Sequence, residues 1–382
     1  VEVTAMLVAA PRIAAALGIP NSHAGWILNA YLYPVFVTLL LLLIRNGDWV
    51  KRVFSPWGIF ITGLMLFIIG NLLSGLGSTP SLFFAGRIIQ AVGGAMAYLG
   101  QLWTAMAYFK ARLVTVMFWG ECGLATGIIS GPMIGGYLAA SGESGWRMIF
   151  VLNAAVALIT IGFGLTVLLG RRSEVAAEIK TENARGTGSS HAIYWLLGLQ
   201  WAIMAACVGG EFLLSNQLQL QRGLSSQFVG WVTAAASIGA ITGSGLVASW
   251  PNRLGSWLRL GLVAIMAALP AIGISLTYLP GLWNVPPLFV LGVGMGMTSV
   301  SIYARIAEFT PGEGFVRVSI LYLLAQQLGN ALGVQIVEAM AGMQSHPLVP
   351  ALVLLGPLVL LCVFPQQRKA MGRTAIEPLS HS

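Results

Sequence analysis

The sequence predicts an all-α integral membrane protein with twelve transmembrane helices, arranged as two six-helix pseudo-symmetric halves around a central cavity. Three observations carry the membrane class and the helix count. Of 382 residues, 57% are hydrophobic and 8% charged, against about 45–50% and about 25% in soluble domains. Twelve apolar runs approach the ~20 residues that a bilayer core requires. The basic side chains are sorted onto alternate ends of those runs, as topology demands of a polytopic chain.

The runs lie at 1–17, 24–44, 57–77, 81–108, 113–139, 147–169, 192–220, 228–250, 257–279, 285–307, 316–341 and 347–364. The first is short, and the chain opens at Val1 already inside it, so native residues before Val1 are expected. With a cytoplasmic N-terminus, each even-numbered run ends at a basic inner face. Arg45, Lys51 and Arg52 follow the second run, and Lys110 and Arg112 the fourth. Arg171, Arg172, Lys180 and Arg185 follow the sixth, and Arg253 and Arg259 the eighth. Arg305 and Arg317 flank the loop after the tenth, and Arg368, Lys369 and Arg373 follow the twelfth. These are 16 of the 20 Lys and Arg residues, leaving Arg12, Arg87, Arg147 and Arg222 in the outer half. The net charge of +8 therefore reads as membrane topology rather than as a nucleic-acid footprint. Both termini are expected in the cytoplasm.

Residues 171–190 form the only long polar interval and read as a cytoplasmic linker between a first half, 1–170, and a second, 191–366, with a cytoplasmic tail at 367–382. An internal repeat supports the division. Gly18-Ile-Pro-Asn-Ser22-His-Ala-Gly25-Trp26 precedes the second run, and Gly223-Leu-Ser-Ser-Gln-Phe-Val-Gly230-Trp231 precedes the eighth. Parallel halves of this kind are a known transporter plan. Cys122, Cys207 and Cys362 all fall in apolar runs, so reduced thiols are expected.

Gly123, Gly127, Gly131 and Gly135 recur every fourth residue in the fifth run, with Pro132 and Gly136 beside them. A four-residue step drifts only ~40° around a helix, so these glycines form one stripe on which a second helix can pack backbone to backbone. Pro132 is expected to bend or loosen the helix.

Gly127-Ile-Ile-Ser-Gly131-Pro132-Met-Ile-Gly135-Gly136 resembles the antiporter signature of helix 5 in the drug:proton antiporters of the major facilitator superfamily. Other stretches are similar to the branch of that family that usually has fourteen helices. They are Glu2-Val-Thr4 to Pro11-Arg-Ile13, Trp26 with Tyr31, Gly86-Arg87-Ile-Ile-Gln90-Ala-Val-Gly93, Trp146-Arg147 to Asn153, and Gln219 with Gly223. The chain departs from the branch in having twelve runs. Its loop between the second and third runs also lacks the leading glycine of the family pattern, and the charges Asp48 and Arg52, which the resemblance assigns to a cytoplasmic gate, are displaced. The resemblance implies that helix 5 meets helix 8, through Gly239 and Gly243, and that Ala325, Gly329 and Gly333 of helix 11 serve a companion seam with helix 2.

Ionisable residues inside a membrane are costly and mark function by default. Glu2 matches the family's membrane acid. Glu121 lies nine residues beyond Arg112, ~13 Å into its helix and on the side opposite Gly123. Glu211 follows Gly209-Gly210. Each carboxyl has two readings, a proton or cation carrier and a helix-to-helix hydrogen-bond partner. Arg87, the family-matched arginine, is either a coupling residue or a structural or snorkelling cation. Tyr31, Gln90, Asn216 and Gln219 are candidates for the substrate cavity, and Tyr98 and Trp103 for stacking on flat or cationic compounds.

No phosphate-binding loop with lysine is present, no nucleophile motif supports an enzyme, and His23, His191, His346 and His381 have no partners at metal-ligand spacing. The expectation is a proton-driven exporter of small amphipathic or cationic compounds in a bacterial plasma membrane. It would need no cofactor or metal and no nucleic-acid partner, only protons, substrate and lipid, and would act as a monomer. A transporter of a native metabolite and a non-transporting membrane sensor or scaffold are the alternatives.

Overall fold

The computed structural model describes residues 2–19, 26–44, 52–109, 112–142, 144–170, 190–218, 222–224, 226–310, 315–342 and 346–363, with some side chains inside these helices outside the description. Residues 171–189 of the expected linker, residues 364–382 with the whole of the expected tail 367–382, Asp48 and Gln219 lie outside the described residues.

Twelve long α-helices run through the described residues: α1 (Glu2–Ala16), α2 (Trp26–Ile44), α3 (Pro56–Leu76), α4 (Pro80–Phe109), α5 (Leu113–Ala140), α6 (Arg147–Gly170), α7 (Ser190–Asn216), α8 (Ser226–Ser249), α9 (Leu254–Tyr278), α10 (Val285–Phe309), α11 (Phe315–Gly342) and α12 (Leu348–Val363). By length and composition α3 to α11 suffice to cross a membrane, nine helices among the described residues, while α2 and α12 carry shorter apolar stretches. The fold is all-α, two six-helix halves in one chain.

The same pairs form in each half. In the first, α3 packs on α4, α1 on α5, α2 on α4 and α3 on α6; in the second, α9 packs on α10, α7 on α11, α8 on α10 and α9 on α12. The internal repeat has a backbone counterpart. Gly18 and Gly223 both adopt φ of +64°, a left-handed conformation that suits glycine because it has no Cβ. The Ile19 amide bonds the Ala14 carbonyl at 2.8 Å, and the Leu224 amide bonds Leu218 at 3.0 Å. One glycine device thus follows the first helix of each half, and the exposed Trp26 and Trp231 lie within the first two turns of the next helices.

Glycine sets the closeness of packing inside each half. A Cβ on Gly63 or Gly70 of α3 would collide with the backbone of Ala97 or Gln90 on α4, and one on Gly93 with Phe67. Gly239 and Gly243 of α8 lie against Phe289 and Val293 of α10, and Gly292 and Gly296 of α10 against Ala236 and Ala240 of α8. Gly329 and Gly333 of α11 lie on Trp201 and Ala205 of α7. This corrects the expected seams. Helices α5 and α8 do meet, with Gly245 against Phe118, and α2 does pack on α11. Yet Gly239 and Gly243 face α10, and Gly329 and Gly333 face α7. The four-residue spacing identifies a smooth face but not the neighbour that covers it.

The stripe of α5 is corrected in the same sense. Gly135 rests on Ala5 of α1 within its own half, Gly127 and Gly131 are buried, and a Cβ on the exposed Gly123 would meet nothing within 4 Å. Helix α5 is continuous through Pro132. The side chain of Pro132 and the burial of Gly136 lie outside the description.

The halves join at one end. Leu39, Leu102, Ala105, Tyr303, Ile306 and Ile320 belong to a single buried core, and all lie toward the ends flanked by Arg112, Arg305 and Arg317, hereafter the basic end. Toward the opposite end Met6, Ile13, Phe83, Trp146 and Phe150 form a core confined to the first half.

The two kinds of glycine predict opposite outcomes. Gly123→Ala removes a helix penalty of about 1 kcal/mol without a clash, so the melting temperature in detergent should hold or rise. Gly243→Ala forces α8 from α10 and should lower it by several degrees.

Candidate functional site

The site is built around Arg87, about two turns into α4. Its side chain is fully buried. Nε donates to the Ile27 carbonyl on α2 at 3.3 Å, and Nη1 donates to Gln90 Oε1 at 2.8 Å. Gln90 Nε2 donates to Asn71 Oδ1 on α3 at 2.9 Å, and Asn71 Nδ2 donates to the Phe67 carbonyl at 2.8 Å. The guanidinium carbon lies 5.1 Å from the centroid of the Tyr31 ring and 6.0 Å from that of Phe150, within range of a cation–π attraction. Gly94 leaves room for the Tyr31 hydroxyl, which a Cβ there would approach to 2.6 Å.

The chain α2–Arg87–Gln90–Asn71–α3 is what allows a cation at this depth. A charge in hydrocarbon costs from about 2.5–3.5 kcal/mol on insertion scales, and directed hydrogen bonds with aromatic faces offset that cost. Arg87 therefore does not snorkel. Gln90 has both ends of its amide engaged with protein. The Arg87–Gln90 pair, i and i+3 on one helix, was visible in sequence. Asn71 and Phe150 were not, because they arrive from α3 and α6.

The outer-half arginines find separate uses. Arg147 Nη1 donates to the Gly75 and Gly77 carbonyls at 2.6 and 2.8 Å, at the end of α3, while its guanidinium lies 4.5 Å from the Trp146 ring. Arg222 Nη1 donates to the Leu279 carbonyl at 2.8 Å and Nη2 to that of Leu276, at the end of α9. Each arginine caps the C-terminus of an equivalent helix, where orphan carbonyls and the helix dipole favour a cation. Arg12 is exposed.

The other candidates are dispersed. Glu211 is half-buried on α7. Its neighbours Gly209 and Gly210 pack against α11 and α12, and against α9 and α10, and at ~100° per residue Glu211 points a further step away from both. Cys207, one turn back, is fully buried. Arg52 is exposed beyond α2. Glu2, Glu121 and Asn216 fall within α1, α5 and α7, and their side chains are outside the description.

A second polar cluster, of which the sequence singled out Tyr98 alone, crosses the halves. Tyr98 Oη on α4 donates to Gln326 Oε1 on α11 at 3.1 Å, and Gln326 Nε2 donates to the Tyr322 hydroxyl at 3.4 Å. Tyr303 Oη on α10 donates to the Leu102 carbonyl on α4 at 3.2 Å, and its ring lies 5.2 Å from that of Tyr322. The available signal was the presence of glutamine and tyrosine in the middle of apolar helices.

The family model described as Major Facilitator Superfamily matches residues 2–334. The chain belongs to the major facilitator superfamily. It is thus a membrane transporter by family, of a class that is not enzymatic. It is 25% identical to a putative tartrate transporter of Agrobacterium vitis, over 79% of this chain and 74% of that protein. It is 24% identical to the putative multidrug resistance protein MdtD of Pectobacterium carotovorum, over 91% and 85%. Some likenesses are partial: an uncharacterised MFS-type transporter of Mycobacterium tuberculosis, Rv1250, is 32% identical over 41% of this chain and 26% of its own length. In fold, the superfamily's proton:xylose symporter XylE, solved with 6-bromo-6-deoxy-D-glucose, superposes with a TM-score of 0.71 at 16% identity, covering 96% of this chain and 91% of the symporter.

Gln90→Leu removes the acceptor of Arg87 and the donor to Asn71 at once. Thermal unfolding in micelles should show a loss of about 1–3 kcal/mol or more, and Gln90→Glu, which keeps the acceptor, should recover part of it.

Proposed function

We propose that this transporter is a proton-coupled exporter of small amphipathic or cationic compounds, working by alternating access between its two halves. The observation that carries the reading is Arg87, a fully buried cation tied to α2 and α3 within a helix-4 stretch that resembles that of the drug:proton antiporters. The likeness to MdtD and the Gly-Pro signature of α5 support it. Arg87 sits in one half and the half-buried carboxyl of Glu211 in the other. Glu2 and Glu121 are the further candidate proton carriers. On the positive-inside assignment the basic end is cytoplasmic, and the joined basic ends correspond to the outward-facing state. The membrane is then a bacterial plasma membrane with both termini inside.

A second reading is exchange of a small organic anion. The cationic Arg87 and the likeness to a putative tartrate transporter favour it.

Proteoliposomes separate the two. With an acid lumen, the protein should accumulate a cationic dye until a protonophore is added, and tartrate should not compete. Arg87→Gln should abolish gradient-driven uptake while dye exchange at equal pH persists. Tartrate transport without dye transport would establish the second reading; no gradient-driven flux of either would sink proton antiport.

A further inference from the structure

We propose that the face of α7 carrying Gln200 and Glu211 recognises an elongated amphiphile. Its cationic end meets Glu211, and its other end is a neutral group that donates and accepts hydrogen bonds, a hydroxyl or an amide, and meets Gln200. The proposal rests on the exporter reading above and names the shape and chemistry of the substrate.

Packing defines the face. Nine residues turn a helix by about 180°, so Gln200 lies opposite Gly209, where a Cβ would meet Leu354 of α12. Gly210 lies against Leu269 and Ile272 of α9 and Leu291 of α10, while Trp201, Met204 and Ala205 lie against Gly329 of α11. The Gln200 face therefore looks out between α10 and α11. Both of those helices bond to α4 of the first half, through Tyr303 and Gln326. The helices packed closely on α7 itself, among the described residues, all belong to its own half. Cys207 and Glu211, seven and eleven residues beyond Gln200, return to within about 20° of the same line.

The chemistry of the face points to a ligand. Gln200 is 0% exposed, and neither Oε1 nor Nε2 has a hydrogen-bond partner among the described residues. Gly329 lies against Trp201 and Ala205, and Gly333 against Ala205 and Gly209, so α7 and α11 run in parallel with Gln200 level with Gln326. One turn beyond Gln326 on the same side of α11, Asn330 Oδ1 is a second buried acceptor without a partner. Buried amides left unpaired are destabilising, and a group that both donates and accepts satisfies them. Between Gln200 and Glu211 the face presents Met204 and Cys207, both buried and suited to an apolar chain. The two polar ends stand about 16 Å apart along the helix, which sets the length of the amphiphile.

The experiment displaces a cationic dye from full-length protein in nanodiscs with dodecyltrimethylammonium or its ω-hydroxydodecyl counterpart. The two compounds enter lipid to different extents, so the quantity read is the change in their affinity ratio between proteins, from which partitioning cancels. Gln200→Leu should lower the preference for the hydroxylated compound by about tenfold, whereas Glu211→Gln should weaken both compounds alike. The butyl pair, too short to span the face, should show no change of ratio on Gln200→Leu. If Gln200→Leu does not fold or does not hold the dye, Asn330→Leu carries the comparison. A ratio that the amide variants leave unmoved would overturn the recognition, and an equal change with the butyl pair would overturn the length. If neither long compound displaces the dye from protein that still accumulates it under a pH gradient, this inference falls and the exporter reading stands; if dye accumulation is lacking as well, both fall.

Discussion

Hydrocarbon has no hydrogen bonds to offer, so each polar group carried into the bilayer needs its partner within the chain. That constraint accounts for the most specific features of this transporter. Arg87 is held by a carbonyl of α2, an amide of its own helix and, through that amide, by α3. Arg147 and Arg222 occupy the carbonyl ends of α3 and α9. Three of the four arginines outside the basic end are thus explained by what they bind, not by which side of the membrane attracts them.

The same absence of water changes what holds helices together. Lipid tails are as apolar as leucine, so association depends on close contact of backbones and on a few interhelical polar bonds. Glycines supply the close contacts, and among the described residues the backbone contacts so made lie within halves: α3 with α4, α8 with α10, α7 with α11. Between halves the contacts are made by side chains, Phe118 against Gly245 and tyrosines against glutamine and carbonyl.

Much of this was legible in the chain. Run lengths and sorted charges gave twelve helices with ends within a few residues of those observed. Gly18 and Gly223 could be paired from sequence, and they share one left-handed backbone state, because a helix that must turn back at once requires a residue without a Cβ. The glycine faces were legible as faces. Their partners were not, since periodicity is local and the choice between α10 and α5 as the neighbour of Gly239 depends on the whole bundle. Likewise Arg87 and Gln90 stood out as charge and amide in an apolar helix, whereas Asn71 joined them only through the packing of α3. Tyr303 and Gln326 looked like ordinary aromatic and polar residues until the two halves were placed together.

The unequal distribution of glycine has a mechanical consequence. Two helices in backbone contact cannot slide or rotate by a fraction of a turn without driving a carbonyl or a Cβ into the opposing chain, so each half behaves as a stiff lever. Flexible side chains at the seam re-pack at little cost over the same displacement. Strain introduced anywhere in the molecule, whether by a ligand, a proton or a lateral force from the lipid, is therefore transmitted through the halves almost undiminished and released where they touch. The compliance of the transporter is located where side chains, not opposed backbones, make the contact.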